Sequence, residues 1–303
     1  MDRFESMSVL VAVAEAGSLS AASRRLRIPV TTVSRKISDL EAQLKVRLLN
    51  RSTRKLSLSD AGRYYVEAAR RIIEQVEEVE RATTGEYTTP RGRLTITAPV
   101  SLGRIHVVPT IIEFRKAFPE IDVRLILSDG ILNHLDNDID LAVRIGNLPA
   151  SSLHATRIGS TRRIVCGSPG YFAARGRPKK PSDLAMHDCI TFENMSSPAA
   201  WGFRFGKKEK AIRLHSWLSV TSAEAAIEAA IAGGGVTRML SYKIEAARRA
   251  GALDLVLAPY ELAPWPISII FPGQGLLPLK VRAFLNWATP RLKAALRSGD
   301  LGG

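Results

Sequence analysis

Between Thr31 and Glu41 the chain reads TTVSRKISDLE, an arginine set among short hydroxyl side chains. A guanidinium can grip two acceptors on a guanine edge or hold a phosphate, while Ser and Thr hydroxyls both donate and accept. Threonine methyls can also contact the methyl of thymine. Val33, Ile37, Leu40 and Leu44 recur at helical spacing, so the segment is expected to be a helix with one buried face. At about 100° per residue, Thr31, Arg35 and Ser38 fall nearly opposite that stripe, with Ser34 on its flank. Thr31, Thr32, Ser34 and Arg35 are the residues such a helix would aim at base edges. Lys36, nearer the apolar edge, suits a phosphate.

Other elements must hold that helix in place. Phe4, Met7, Val11 and Ala14 sit at helical spacing in a first helix that Gly17 ends. Ser18 and Ser20 open a second helix, LSAASRRL; one is expected to cap it and the other to meet a phosphate. Pro29 cannot sit in a helix interior and marks the start of the third helix. Beyond Leu44, Leu56 and Leu58 alternate with polar residues as in a short strand, and NRSTRK would be the tip of a hairpin. On it, Arg51, Arg54 and Lys55 suit the phosphate backbone or a narrow minor groove; the plainer alternative is a solvated, charged tip. Three helices followed by a basic hairpin is the order of a winged helix-turn-helix.

From residue 59 to about 85 the pattern is one long helix. Tyr65, Ala69, Ile72, Val76 and Val79 step by four, three, four and three, a heptad seam that a second copy of the helix would bury. The alternative is that the stripe lies on its own domain. TTGEYTTPRG reads as a linker. After it strands and helices alternate, which argues for an α/β region with a mostly parallel sheet, as one large sheet or two lobes. The first strand there ends at APVSLGR, where Ser101 and nearby backbone N–H groups meet a helix start; Thr221 and Ser222 open an alanine-rich helix. Both places suit an anionic ligand, and a plain N-cap accounts equally well for them.

The 303 residues suffice for two or three domains, and a net charge of +14 favours a polyanionic partner, nucleic acid before membrane. A basic surface with no dedicated partner is the alternative. Cys166 and Cys189 stand far apart and form no C-x-x-C pair. The polar N-terminus and the lack of any apolar run of about 18 residues point to a cytoplasmic protein. Gly233–Gly235 lacks the Lys-Ser/Thr of a phosphate loop and follows a helix, so it reads as a helix stop. The five histidines have no metal-ligand spacing, and no nucleophile constellation is recognisable. No metal, cofactor or enzymatic activity is therefore expected.

The strings VAVAEAGSLSAASRRL, VSRKISDLEAQL and VRLLNRSTRKLSLSDAG resemble the LysR-type transcriptional regulators. Looser likenesses, GRLTITAP, FPEIDVRL, DIDLAVRIG and GGGVTRMLSY, extend the resemblance over the whole chain. It implies a winged helix-turn-helix at 1–59, a linker and dimerisation helix at 60–86, and an effector domain at 92–303. That domain would be two-lobed, of the type 2 periplasmic-binding-protein kind, with lobe one at 92–159 plus 267–303 and lobe two at 160–266. The resemblance also implies a ligand cleft bordered by Ser101, Leu102, Arg144 to Gly146, Thr191, Phe192, Thr221, Ser222, Ile270 and Phe271. The implied partners are double-stranded DNA with an inverted-repeat operator, a small-molecule effector, a second copy or a tetramer, and RNA polymerase for an activator. A regulator or architectural protein with no small ligand is the competing expectation. The chain departs from the family pattern at Pro29–Val30, where Ser-Pro is common, at Lys45, where glycine is common, and at Leu240, where proline is common.

Overall fold

The computed structural model describes residues 2–52, 55–84, 89–130, 139–148, 153–193, 200–273 and 277–298; the side chains of 51, 52, 55, 78 and 81–84 lie outside the description. The chain divides into two units near Gly92.

In the first unit, α1 (Arg3–Ala16) starts on Asp2, whose carboxylate accepts from the N–H groups of Phe4 and Glu5. Gly17 ends it with a left-handed φ of 69°, a conformation that costs glycine little. Next come α2 (Leu19–Leu26) and α3 (Val30–Leu44). The antiparallel wing is β1 (Leu49–Ser52) and β2 (Lys55–Leu58), and α4 (Asp60–Thr84) follows. One core joins them, built from Leu10 and Val13 of α1, Ala22 of α2, Val33, Ile37 and Leu40 of α3, the wing entry Leu48–Leu49, and Val66 and Ala69 of α4. Arg27 after α2 and Lys45 after α3 are both left-handed at φ 55°. A side chain there costs about 1 kcal/mol, which the surrounding packing overcomes. A Cβ at Gly62 would overlap the carbonyl oxygen of Leu48, so glycine lets α4 approach the wing entry.

The heptad seam needs correcting at its N-terminal end. Ala69 is 1% exposed within this core and Tyr65 packs on it, joined by Val66 and Ile73 from off the seam. The first turns of α4 lie on α1, and a helical face drifts about 20° per heptad from a strict seam. Ile72 and Val79 remain exposed and Val76 is half-buried.

The second unit holds two five-stranded sheets. The first has the order β4-β3-β5-β14-β6, from β3 (Gly92–Ala98), β4 (Ile121–Leu127), β5 (Leu141–Ile145), β6 (Leu153–Thr161) and β14 (Trp265–Pro272). The second has the order β11-β8-β12-β7-β13, from β7 (Arg163–Gly167), β8 (Cys189–Phe192), β11 (Ser216–Val220), β12 (Val236–Leu240) and β13 (Asp254–Val256). Strands β9 (Ala200–Phe205) and β10 (Lys208–Arg213) form a separate hairpin. The first sheet packs with α5 (Val100–Leu102), a π-helical turn (Gly103–Val107), α6 (Val108–Ala117) and α10 (Leu279–Ser298). Also in this unit are α7 (Pro169–Arg175), α8 (Ala223–Ile231) and α9 (Ser241–Arg249). Both sheets are mixed, a correction to the mostly parallel expectation: β7 runs antiparallel to β12 and β13, and β14 antiparallel to β5 and β6. Trp265 pairs with Thr161, so the first sheet's strands reach past the expected lobe bounds at 159 and 267. Among the described residues no helix is long and apolar enough to cross a membrane.

Candidate nucleic-acid interface and effector cleft

Helix α3 is divided by face. Val33, Ile37 and Leu40 are each 0% exposed, while Thr31, Arg35 and Ser38 are exposed and Thr32 and Ser34 half-buried. Pro29 caps the helix without a side-chain hydrogen bond, so the first N–H groups of α3 have no side-chain acceptor. Ser18 is the cap of α2, accepting from Ala21 N–H at 3.1 Å, and Ser20, in the first turn, is exposed. Lys36 takes a different place from the expected one: its ammonium forms an ion pair with Glu5 of α1 at 2.5 Å and is largely covered. In the wing, Arg51 stands opposite Leu56 and Lys55 opposite Ser52. Arg54 lies outside the described residues.

Glu41, which sequence spacing did not single out, clasps the wing to α3. Its Oε1 accepts from the N–H groups of Leu48 at 2.7 Å and Leu49 at 3.0 Å. Ser59 closes the other side, donating to the carbonyl of Arg47 and accepting from Gly62 N–H.

In the second unit the ends of β3 and β11 lead to Ser101 and Ser222, and Glu224 joins these two regions. Glu224 Oε1 accepts from Ser101 Oγ at 2.9 Å, and Oε2 from Ser222 Oγ at 3.1 Å. Arg104 reaches the same carboxylate at 3.5 Å. Burial raises the Glu224 carboxyl, but its own N–H, the two hydroxyls and Lys243 outweigh it and hold the group below the usual carboxylate range. Ser222 also caps α8 by accepting from Ala225 N–H, so capping and Glu224 share it. Asp129 accepts from Val100 N–H at 3.0 Å. Both helix starts expected to take an anion thus already carry a carboxylate of the chain itself.

Around this junction, Lys243 Nζ lies 5.1 Å from the ring centre of Phe192; burial lowers its ammonium pKa, against the pull of Asp129 and Glu224. Tyr242 is 6% exposed and its hydroxyl is buried without a hydrogen bond. Burial, then Asp129 and Glu224, push its pKa up, so it stays a neutral donor. His106 meets it edge-on at 6.0 Å, its Nε2 also buried without a hydrogen bond and its pKa lowered by burial. Arg144 donates to Thr97 Oγ1 at 3.3 Å, and Gly146, left-handed at φ 103°, donates its N–H to Pro266 O. Thr221 is exposed.

Four expected cleft residues, Leu102, Thr191, Ile270 and Phe271, sit elsewhere. Leu102 is buried in the core of the first sheet. Thr191 is buried, and its hydroxyl is engaged with Ser216 Oγ at 2.8 Å, which ties β8 to β11. Phe271 is at the opposite end of its sheet: β14 runs antiparallel to β5, with Ile267 opposite Ile145 and Ile270 opposite Ala142. The start of β14 therefore reaches the strand edge near Gly146, while Phe271 stacks on His154 at 5.8 Å. Glu224, Tyr242, Lys243 and His106 were missed. Only Glu224 carried a signal, an acid in the first turn after the Ser222 cap.

Residues 4–63 match the profile "Bacterial regulatory helix-turn-helix protein, lysR family", and residues 88–293 match "LysR substrate binding domain". An HTH-type transcriptional repressor of Pseudomonas aeruginosa is 32% identical, over 95% of this chain and 91% of its own length. The HTH-type transcriptional activator AaeR of Escherichia coli is 30% identical, over 95% of this chain and 94% of its own length. The structure of CrgA, a LysR-type transcriptional regulator from Neisseria meningitidis, superposes with a TM-score of 0.61 at 28% identity, covering 95% of this chain and 98% of that one. The two profiles cover both units of the chain, and the chain belongs to the LysR family of transcriptional regulators, which bind DNA through the helix-turn-helix and respond to an effector bound in the second domain.

Proposed function

We propose that this chain is a cytoplasmic homo-oligomeric regulator in which Ser34 and Arg35, with Thr31 and Thr32 ahead of them, face the bases of an inverted-repeat operator. The observation that carries this reading is the division of α3: Arg35 is exposed on a helix whose opposite residues Val33, Ile37 and Leu40 are completely buried. A helix so held can enter a major groove without loosening its domain. Ser20 and the basic wing, Arg51, Arg54 and Lys55, meet phosphates, while Lys36 belongs to the domain's own ion pair with Glu5. Two copies associate through the exposed Ile72 and Val79 of α4 and the half-buried Val76 between them. If the regulator activates, RNA polymerase is a further partner.

The effector binds among Ser101, Ser222, Phe192, Lys243 and Tyr242, with Arg144 and Gly146 of the first sheet as further contacts. The buried, unpartnered hydroxyl of Tyr242 is the donor a ligand would satisfy. Fluorescence anisotropy with a two-half-site duplex tests the DNA contacts. Arg35→Ala is expected to lose about 2 kcal/mol of discrimination against a substituted half-site. Wild-type discrimination by that variant would sink the assignment of α3. For the cleft, a metabolite that stabilises the wild type and fails on Tyr242→Phe supports the placement; equal response in both removes it.

A further inference from the structure

Strands β7 and β12 pair with Val165 opposite Arg238 and Arg163 opposite Leu240. Side chains alternate across a sheet, so Arg163, Val165, Val236 and Arg238 share one face. Val165 and Val236 cluster there with Trp201 and Phe203 of β9. Arg238 thus lies under the hairpin in what is otherwise an apolar layer, and Arg163 shares its face of the sheet.

Arg238 is 6% exposed. One terminal nitrogen donates to the carbonyl of Gly202 at 3.3 Å, and the guanidinium lies 5.4 Å from the ring centre of Trp201. Its Nε–H is buried and has no acceptor. Arg163 is half-buried, with its guanidinium 4.1 Å from the ring centre of Trp265, and its Nε–H is likewise buried without an acceptor. Among the described residues neither forms an ion pair within 4.0 Å. Glu261, on the crossover before β14, is taken by Arg162 at 3.1 Å. Glu209 of β10 attracts Arg163 only at longer range.

This arrangement is costly for the chain alone. Arginine does not shed its proton in a protein, and an uncompensated buried charge is strongly destabilising. Burial and the like charge of Arg163 push the Arg238 guanidinium down to about 10, which still leaves it charged at neutral pH. An apolar side chain would fill the same layer at less cost. Two unsatisfied N–H donors on neighbouring guanidinium groups beside indole rings, neither in an ion pair among the described residues, have the chemistry that recognises a planar oxyanion.

We infer that Arg163 and Arg238 form a binding site for a small oxyanion, a carboxylate-bearing metabolite or an inorganic oxyanion, on the hairpin face of the second sheet. The exposed part of Arg163 is its entrance. Arg163 opens β7 immediately after the chain leaves the first sheet, and Trp265 opens β14 where it returns. An anion held here would lie beside both crossovers between the sheets.

Thermal unfolding of the full chain tests this, with sodium benzoate and sodium sulfate as probes against sodium chloride at matched ionic strength. Benzoate or sulfate should raise Tm by roughly 5–10 °C at a hundredfold excess over Kd. The larger shift with benzoate assigns an organic carboxylate, and with sulfate an inorganic oxyanion. Arg238→Met should lose that shift and melt above the wild type in chloride, because a buried charge has gone. Arg163→Gln, at a half-exposed position, should lose the shift while leaving the fold in place. A shift as large in chloride, a shift kept by both variants, or no shift in the wild type with Arg238→Met melting lower would each overturn the assignment.

Discussion

Removing the Glu41 carboxylate should release the wing from the recognition helix. Its Oε1 is the acceptor for two consecutive backbone N–H groups, those of Leu48 at 2.7 Å and Leu49 at 3.0 Å. Both leucines are almost wholly buried, so water does not readily replace the carboxylate. A hydrogen bond to a charged group contributes about 1.5–3 kcal/mol. Glu41 itself is half-buried, so the low end applies, and Glu41→Ala is expected to cost about 2 kcal/mol in the local opening of the wing entry. That is about 30-fold in the opening equilibrium. Glu41→Gln keeps a neutral acceptor and should recover roughly half of the free energy. Amide hydrogen exchange reads this directly: Leu48 and Leu49 should exchange about 30-fold faster in the Ala variant, with Leu10 of α1 as an internal reference. Unchanged exchange at Leu48 and Leu49, or the same acceleration at Leu10, would refute the clasp. Operator affinity should fall with it, since the wing carries Arg51, Arg54 and Lys55.

Three further outcomes follow from the packing and the titrating groups. Gly62→Ala forces a Cβ into the Leu48 carbonyl oxygen and should destabilise the N-terminal unit by about 2 kcal/mol; a denaturant midpoint equal to the wild type would contradict that contact. Glu224 is held below the usual carboxylate range once burial is outweighed by its own N–H, Ser101, Ser222 and Lys243. Its stabilising contribution is therefore present at neutral pH and lost as pH falls through its lowered folded-state pKa. Glu224→Gln should flatten the acid limb of the second unit's melting curve, and an unaltered limb would count against the junction. Burial raises Cys166 to about 12, and burial with Asp188 raises Cys189 to about 11. Neither is then appreciably thiolate at pH 8, so the folded chain should resist iodoacetamide until it unfolds; prompt labelling of either would show that the thiol is accessible.

The amino-acid sequence by itself determined the local elements: the apolar stripe Val33, Ile37 and Leu40, the stop at Gly17, the Ser18 cap and the succession of strands after the linker. Each is written in residues within one or two turns of each other, where spacing and conformational preference act directly. Tertiary structure alone decided which strand ends lie together, because strand direction follows from pairing between distant segments. Hence Phe271, expected at the cleft, stands at the far end of an antiparallel strand, while Tyr242 and Glu224 occupy the junction. Lys36 had the composition of a phosphate contact, but Glu5, distant in sequence, claims it. Ala69 fits a dimer seam in sequence and a domain core in space, since the same periodicity serves either partner. The charges of Arg163 and Arg238 are unremarkable along the chain; only the pairing of β7 with β12 makes them neighbours, one buried and one half-buried, with no ion pair among the described residues.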